Sequence, residues 1–419
     1  MSSQRGSALI LAILMLAFLM VLGSAVLIAM TLDVAIGESY RSETQLLYLA
    51  ESGIDEARGL LRQSPDTPSE LLAAAAGPDG ALSASRDLDT LLNATDDVPY
   101  LNGGNRTTGK LMVDATGGPG GRYYVFLRND AADGMTSLAD SNQILTLMSV
   151  AVIGSSIKVV EVTVMKWRFP ALPAALVLNG SPVSFMPSSD FGVSGMDSSG
   201  GGAHQIAIGV VSDADRAAAI AAIPAPDQIR YPGSGNMNPP PADVGVIDSR
   251  MDPRLTTPGA MERIVSTIAA NATDISSPGW NGTTILGDVG SSNDYRVVVV
   301  NGDCELGSGA GYGILLVRGN FRMRGNFQWN GLVLVIGQGS IAWAGAGSGV
   351  ISGNVLVART RANDRSAANE LGTVLAARGA VDVNFGGTGN SLDVMNPGTA
   401  GLNRVNAGFP FESIAIREY

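Results

Sequence analysis

The residue types that most often do covalent or metal chemistry are nearly missing from this chain. It has one cysteine, Cys304, and one histidine, His204. A Cys/His zinc site needs several such ligands, and most protein nucleophiles need a base beside them, so both classes are removed before spacing is considered. A single cysteine also leaves no intramolecular disulfide to form. His204 sits in the Gly-rich stretch SSGGGAHQ, where no Ser-His-Asp arrangement can be argued. Carboxylates remain. Asp294, Asp303 and Asp382 are scattered, without the paired carboxylate that glycoside hydrolysis uses. Asp130, Asp133 and Asp140 lie in the turn NDAADGMTSLADSNQ and are calcium candidates by oxygen ligation. Their spacing misses the EF-hand pattern, and polar turn chemistry accounts for them.

Two further groups invite a binding role. Arg318, Arg322 and Arg324 form a small basic group, with Arg322 and Arg324 at alternate positions that share one strand face. Phe327, Trp329 and Trp343 offer a sugar platform, against which core packing is the preferred reading. No phosphate loop or dinucleotide fingerprint stands in a strand–helix context. The formal charge is −11 with no cluster of Lys and Arg, so nucleic acid is not an expected partner. No catalysis, cofactor or resident metal is expected.

The elements that would position a site begin with the N-terminus. Residues 1–6 read MSSQRG, and residues 7–32 hold no charge at all. About 20 apolar residues cross a bilayer as a helix, so this run is long enough. A cation before it and Asp33 and Glu38 after it favour a cytoplasmic N-terminus. The helical pattern continues: Leu47, Ala50, Ile54, Ala57 and Leu61 repeat at 3-4-3-4 spacing, and no proline appears before Pro65. One helix is expected from Ser7 to Gln63, apolar in its first half and amphipathic in its second. A secretory signal cut near Ala25 and an uncleaved membrane anchor are the competing readings of the same run.

Here the residues carry a resemblance. QRGSALILAILMLAFLMVLGSAVL followed by LLYLAESGIDEARGLL resembles the N-terminal region of PilX-type minor pilins. The resemblance implies cleavage between Gly6 and Ser7 by a prepilin peptidase, and methylation at Ser7. It implies assembly through the helix that carries Leu11, Leu47, Ala50, Glu51 and Ile54. Partners would be other pilins or minor pilins, with the bacterial inner membrane holding the precursor before it moves to the pilus or cell surface. One departure matters. The fifth mature position, where most pilins carry Glu, is Leu11. Its absence is similar to tip-located subunits, and favours a tip-proximal or priming role.

Beyond the helix the pattern turns to strands. Residues 110–114, 121–128, 143–153 and 156–167 read as a small antiparallel sheet, preceded by a short helix at 69–76. From about residue 174 the chain is Gly-rich and repetitive. VVVVNGD (297–303), ILLVRGN (314–320), LVLVIGQG (332–339) and NVLVART (354–360) start 17, 18 and 22 residues apart. That pattern suits a parallel β-helix, one coil per repeat, with an ordinary β-sandwich as the competing reading. ALVLNGSPVSF (175–185) reads as an earlier coil and Val381–Phe385 as the last; SIAIREY reads as a final strand. Helices at 213–223 and 259–271 are expected as insertions or a cap.

The expected fold class is α+β, mainly β: a long transmembrane and amphipathic helix, a small antiparallel sheet, then a parallel β-solenoid. The expected domains are a leader at 1–6, the pilin helix at 7–63 with its membrane part at 7–32, a head at 64–168 and the solenoid module at 169–419. The expected function is a minor pilin of the type IV pilus that presents its β-helix module for adhesion or contact. A type II secretion pseudopilin and a membrane-tethered carbohydrate-active enzyme are the alternatives.

Overall fold

The computed structural model describes residues 4–64, 68–77, 80–92, 101–102, 105–106, 109–118, 120–197, 204–275, 282–292, 294–362, 366–385, 409 and 411–419. The chain divides into two compact units. The first comprises Met1–Leu61, Pro68–Met165 and Phe411–Tyr419; the second comprises Arg62–Thr67 and Lys166–Pro410.

In the first unit, helix α1 spans Gln4–Gln63. It starts three residues before the expected Ser7 and runs unbroken, since no proline interrupts its backbone ladder. Helix α2, Pro68–Ala75, opens on a proline whose fixed φ suits a first helical turn, and buries Leu71 and Leu72. Four strands follow: β1 (Leu111–Gly117), β2 (Gly121–Asn129), β3 (Ile144–Ile153) and β4 (Ser156–Lys166). They pair antiparallel in sequence order. The tight β3–β4 turn is made by Gly154 at φ 61°. The C-terminal strand Phe411–Glu418 then adds to the outer side of β4. Val159 and Tyr419 exchange both backbone hydrogen bonds, at 3.3 and 2.9 Å, as an antiparallel pair does. The sequence assigns these last residues to the solenoid module; the structure places them in the first unit's sheet, where they cover an edge that would otherwise be open.

This sheet is apolar on both faces. Val125, Leu127, Leu145, Leu147, Val162 and Val164 pack with α1 and α2. On the other side Phe126, Met148, Val150 and Val159 pack under Leu91. Arg128 is buried there. Its guanidinium donates to Glu161 Oε1 at 3.2 Å and to the Ser85 carbonyl, and Arg86 Nε donates to the same Glu161 oxygen at 2.8 Å. A buried cation without such partners would be strongly destabilising; with them it ties the segment around Ser85 to the sheet.

The second unit is built from large parallel sheets. Its strands are β5 (Ala174–Leu178), β6 (Val183–Pro187), β7 (Gly192–Ser194), β8 (Ile206–Val210), β9 (Val244–Val246), β10 (Asp274–Ile275), β11 (Thr283–Ile285), β12 (Arg296–Val300), β13 (Cys304–Leu306), β14 (Gly309–Val317), β15 (Asn320–Met323), β16 (Phe327–Gly337), β17 (Ser340–Arg361) and β18 (Ala367–Asn384). One sheet has the order β9-β8-β5-β17-β16-β14-β12-β10, and its pairs are parallel. The register follows the repeat seen in the sequence: Val297 faces Ile314, Ile314 faces Leu332, and Leu332 faces Asn354. One ladder of buried side chains therefore runs Val298, Leu315, Val333, Val355, Leu176, Ile208, Val244. The order of the coils is not the order of the chain. β5 starts near the middle, β8 and β9 extend one way, and β12 to β17 return from the other end to meet β5.

Three successive strands of this sheet repeat a device. Gly313, Gly331 and Gly353 lie in register with φ of 117°, 140° and 147°. A Cβ at Gly331 would collide with the Gly313 carbonyl, so only glycine fits both the dihedral and the approach.

The second layer pairs β11, β13, β15 and part of β17 in parallel. β18, which contains the expected last coil at Val381–Phe385, runs antiparallel to β17 while pairing parallel with β6 and β7. Helices α3 (Asp213–Ala222) and α4 (Pro258–Ala270) stand where the sequence places them. Their roles differ. α3 puts Ala219 into the interior core shared with Val210 and Val244 at one end of the sheet. α4 does not cap an end: Met261, Ile264, Val265 and Ile268 cover the sheet's outer face, over Val297, Val299, Leu316 and Leu334. Strands with both faces covered need apolar residues on both, which is why these read as continuous runs rather than alternations. Glu262 fixes the helix: its carboxylate accepts from Arg318 at 2.6 Å, Arg361 at 2.7 Å and Thr360 at 2.7 Å.

Candidate membrane and assembly helix

Helix α1 changes character along its length. From Leu11 to Ile36 its apolar side chains are exposed all round, Leu11 at 64% and Met20 at 70%. It is long and apolar enough to cross a membrane by length and composition. Its two hydroxyls there do not go unsatisfied: Ser24 Oγ donates to the Val21 carbonyl and Thr31 Oγ1 to the Ile28 carbonyl, each at 2.9 Å. Lipid offers no partner for a hydroxyl, so the helix supplies its own. Gly6 and Ser7 lie in the helix's first turns; their side-chain surroundings fall outside the described residues.

The second half packs on the sheet. Ala50, Ile54, Ala57 and Leu61 are buried as the spacing predicts. Leu47 is only half buried, and Leu46 and Leu49 bury in its place. A straight helix repeats at 3.6 residues, so the contact stripe drifts from the position a fixed 3-4 spacing marks. The segment AESG divides in two. Ala50 is fully buried, and a Cβ on Gly53 would sit 2.6 Å from Ser149 Oγ and 2.8 Å from the Tyr123 ring. Those two positions let the helix backbone approach the sheet. Glu51 points outward and is exposed, and Ser52 Oγ donates to the Tyr48 carbonyl at 2.8 Å.

One contact could not be read from spacing, because it joins residues far apart in the chain. The Tyr123 hydroxyl donates to Glu56 Oε2 at 2.6 Å. Burial, and then this hydrogen bond to a carboxylate, push the Tyr123 phenol up to about 12. Beside it lies a groove of about 450 Å³, lined by Tyr48, Leu49, Ser52, Gly117, Gly121 and Tyr123.

The other sequence candidates are not brought together. Asp130 accepts from the Ala132 and Asp133 amides, Asp133 from Ser141, and Asp140 from the Gln143 amide, which is turn chemistry. The Ser141 hydrogen bonds hold the Asp133 carboxyl below its ordinary value, whereas burial raises that of Asp140. Among the described residues no group of three or more His, Cys, Asp or Glu is placed to hold a metal ion. Asp303 accepts from the Asn320 amide, Asp294 pairs with Arg296, and His204 Nδ1 accepts from the Asp197 amide. Cys304 is buried, which pushes its thiol up to about 12. Arg318 turns to Glu262 and Arg324 to Glu305, while Arg322 is exposed. Trp329 is fully buried beside Phe327 and donates to the Gly313 carbonyl at 3.2 Å, so both are core residues; the side chain of Trp343 lies outside the described residues.

The long helix thus has a bare apolar half that continues into a half packed on an antiparallel sheet. Residues 5–55, which lie within this helix, match the family model described as PilX N-terminal. No curated protein matches the chain. Among solved structures, the competence-associated pilin ComZ from Thermus thermophilus is similar at 12% identity and a TM-score of 0.20, over 90% of this chain and 97% of that one.

Proposed function

We propose that this chain is a minor pilin of a type IV pilus, held in the inner membrane by residues 7–32 until a prepilin peptidase cuts between Gly6 and Ser7. Ser7 is then methylated, and the subunit joins other pilins through α1. The observation that carries this reading is the contrast within α1: an apolar half left bare on every side, and a half whose contacts the sheet already fills. Leu11 supports a tip-proximal place. A carboxylate at that depth would need a partner amine, and leucine removes the requirement. The second unit's stacked coils serve as a β-helix module for adhesion or contact. Asp294 pairs with Arg296 and Asp303 accepts from the Asn320 amide, and these contacts support a structural role over carbohydrate chemistry.

The deciding measurement is the N-terminus of the protein recovered from membranes and from sheared surface material, by intact mass and N-terminal peptide analysis. A chain that begins at methylated Ser7 is expected. A chain that begins near Val26, or keeps Met1, overturns the assignment and returns the apolar run to a secretory signal or an uncleaved anchor.

A further inference from the structure

We propose that the second unit acts as a clasp for the first: its folding delivers the C-terminal strand to β4, so the first unit's sheet is completed only while the second unit is folded. The main segment of the second unit, Lys166–Pro410, lies in the chain between two neighbouring strands of that sheet, β4 and Phe411–Glu418. Within the second unit, Trp167 and Phe409 are buried at 3% and 0%, and their rings stack with centroids 4.7 Å apart. Trp167 directly follows β4, and Phe409 lies two residues before the C-terminal strand. The fold of the second unit therefore holds the two exits of its chain side by side.

Apart from its backbone pairing with β4, the strand's side chains add little to hold it. Phe411 is buried, and Glu412–Tyr419 are exposed. Besides the ladder with β4, which ends in the Val159–Tyr419 backbone pair, its fastenings include a 3.2 Å bond from Arg58 to the Phe411 carbonyl, Lys158 with Glu418 at 3.5 Å, and Arg86 with the Tyr419 ring and hydroxyl. Exposed ion pairs of this kind contribute little. About 240 residues separate the two exits, and closing a flexible loop of that length is entropically costly. Once Trp167 and Phe409 are stacked, only a link of a few residues remains. The effective concentration of the strand beside β4 then rises by roughly two to three orders of magnitude. Without it, β4 presents an open edge next to Val160, Val162 and Val164.

The test is amide hydrogen exchange on the full chain in detergent micelles over a urea series. The Val159 and Tyr419 amides, which make the pair, are expected to open together with the coil amides of Leu315 and Val333, and Leu147 in β3 to open separately. In a Trp167→Ala, Phe409→Ala double variant, exchange at Val159 and Tyr419 rises roughly 10- to 100-fold with Leu147 unchanged. A chain ending at residue 410 sets the fully open level for Val159. If Val159 and Tyr419 stay protected after the coil amides have opened, or open with Leu147 independently of the coils, the clasp does not exist. Unchanged exchange in a folded double variant overturns it equally. Should that variant fail to fold, the urea series on the unaltered chain decides alone.

Discussion

The two halves of α1 are built from similar residues and do different things. Leu19 and Leu61 belong to one unbroken helix, yet Leu19 is 65% exposed and Leu61 is 1% exposed. Gly23 and Gly53 make the same contrast: a Cβ on Gly23 meets nothing within 4 Å, whereas on Gly53 it strikes Ser149 and Tyr123. Hydrophobicity alone does not assign a helix its partner. The difference lies in whether small residues at the right spacing let a sheet come close. Ala50, Gly53 and Ala57 do so in the second half. The first half keeps bulky apolar side chains exposed on every side.

Paired substitutions break this contrast most directly. Leu61→Ala is expected to cost the first unit about 2–5 kcal/mol, the range for truncating a buried leucine. Leu19→Ala should leave the same unit within about 0.5 kcal/mol, as exposed positions do. Urea unfolding in detergent, followed at the first unit's amides, measures both; equal losses would show that the halves are not distinct. Gly53→Ala is expected to cost about 1–3 kcal/mol by overpacking. Gly23→Ala should be neutral or slightly stabilising, since nothing crowds the new methyl and helix propensity improves by roughly 0.5–1 kcal/mol. Among the substitutions in the packed half's contacts the smallest loss is expected for Tyr123→Phe, which removes the bond to Glu56 at about 1 kcal/mol.

That last variant also carries a pH signature. The folded state keeps the Tyr123 proton up to about 12, and an unfolded tyrosine loses it near about 10. Between those values the folded state binds more protons than the unfolded one, so stability falls as pH rises through the window. The urea midpoint of the unaltered first unit should decline there more steeply than that of Tyr123→Phe. Parallel declines would mean that Tyr123 is not held as the geometry implies.

Much of the architecture was legible because its signals are local. The 3-4 spacing from Ala50 to Leu61, the proline-free run and the hydrophobic repeat at 297, 314, 332 and 354 each reflect a periodicity within one segment. The coil register matched that repeat pair by pair. The helices at 213 and 258 were found by composition and capping, but their roles were not. An amphipathic helix says that one side is covered, and cannot say by which face of which sheet. Tyr123 and Glu56 met for the same reason unseen, sixty-seven positions apart.

By itself the sequence determined the long helix, the chargeless run at 7–32, the segment around Glu51 that matches the PilX N-terminal model, and the hydrophobic repeat of the parallel strands. Each follows from side chains whose neighbours are at most a turn or a coil away. Only the tertiary structure decided that β5 would be joined from both sides by later strands, that α4 would lie on the sheet's outer face, and that the last strand would leave the parallel sheets to pair with β4. A strand apolar on both faces can accept many neighbours. Which one it takes is settled by the closure of loops and the burial of edges across the whole chain, and no local pattern records that choice.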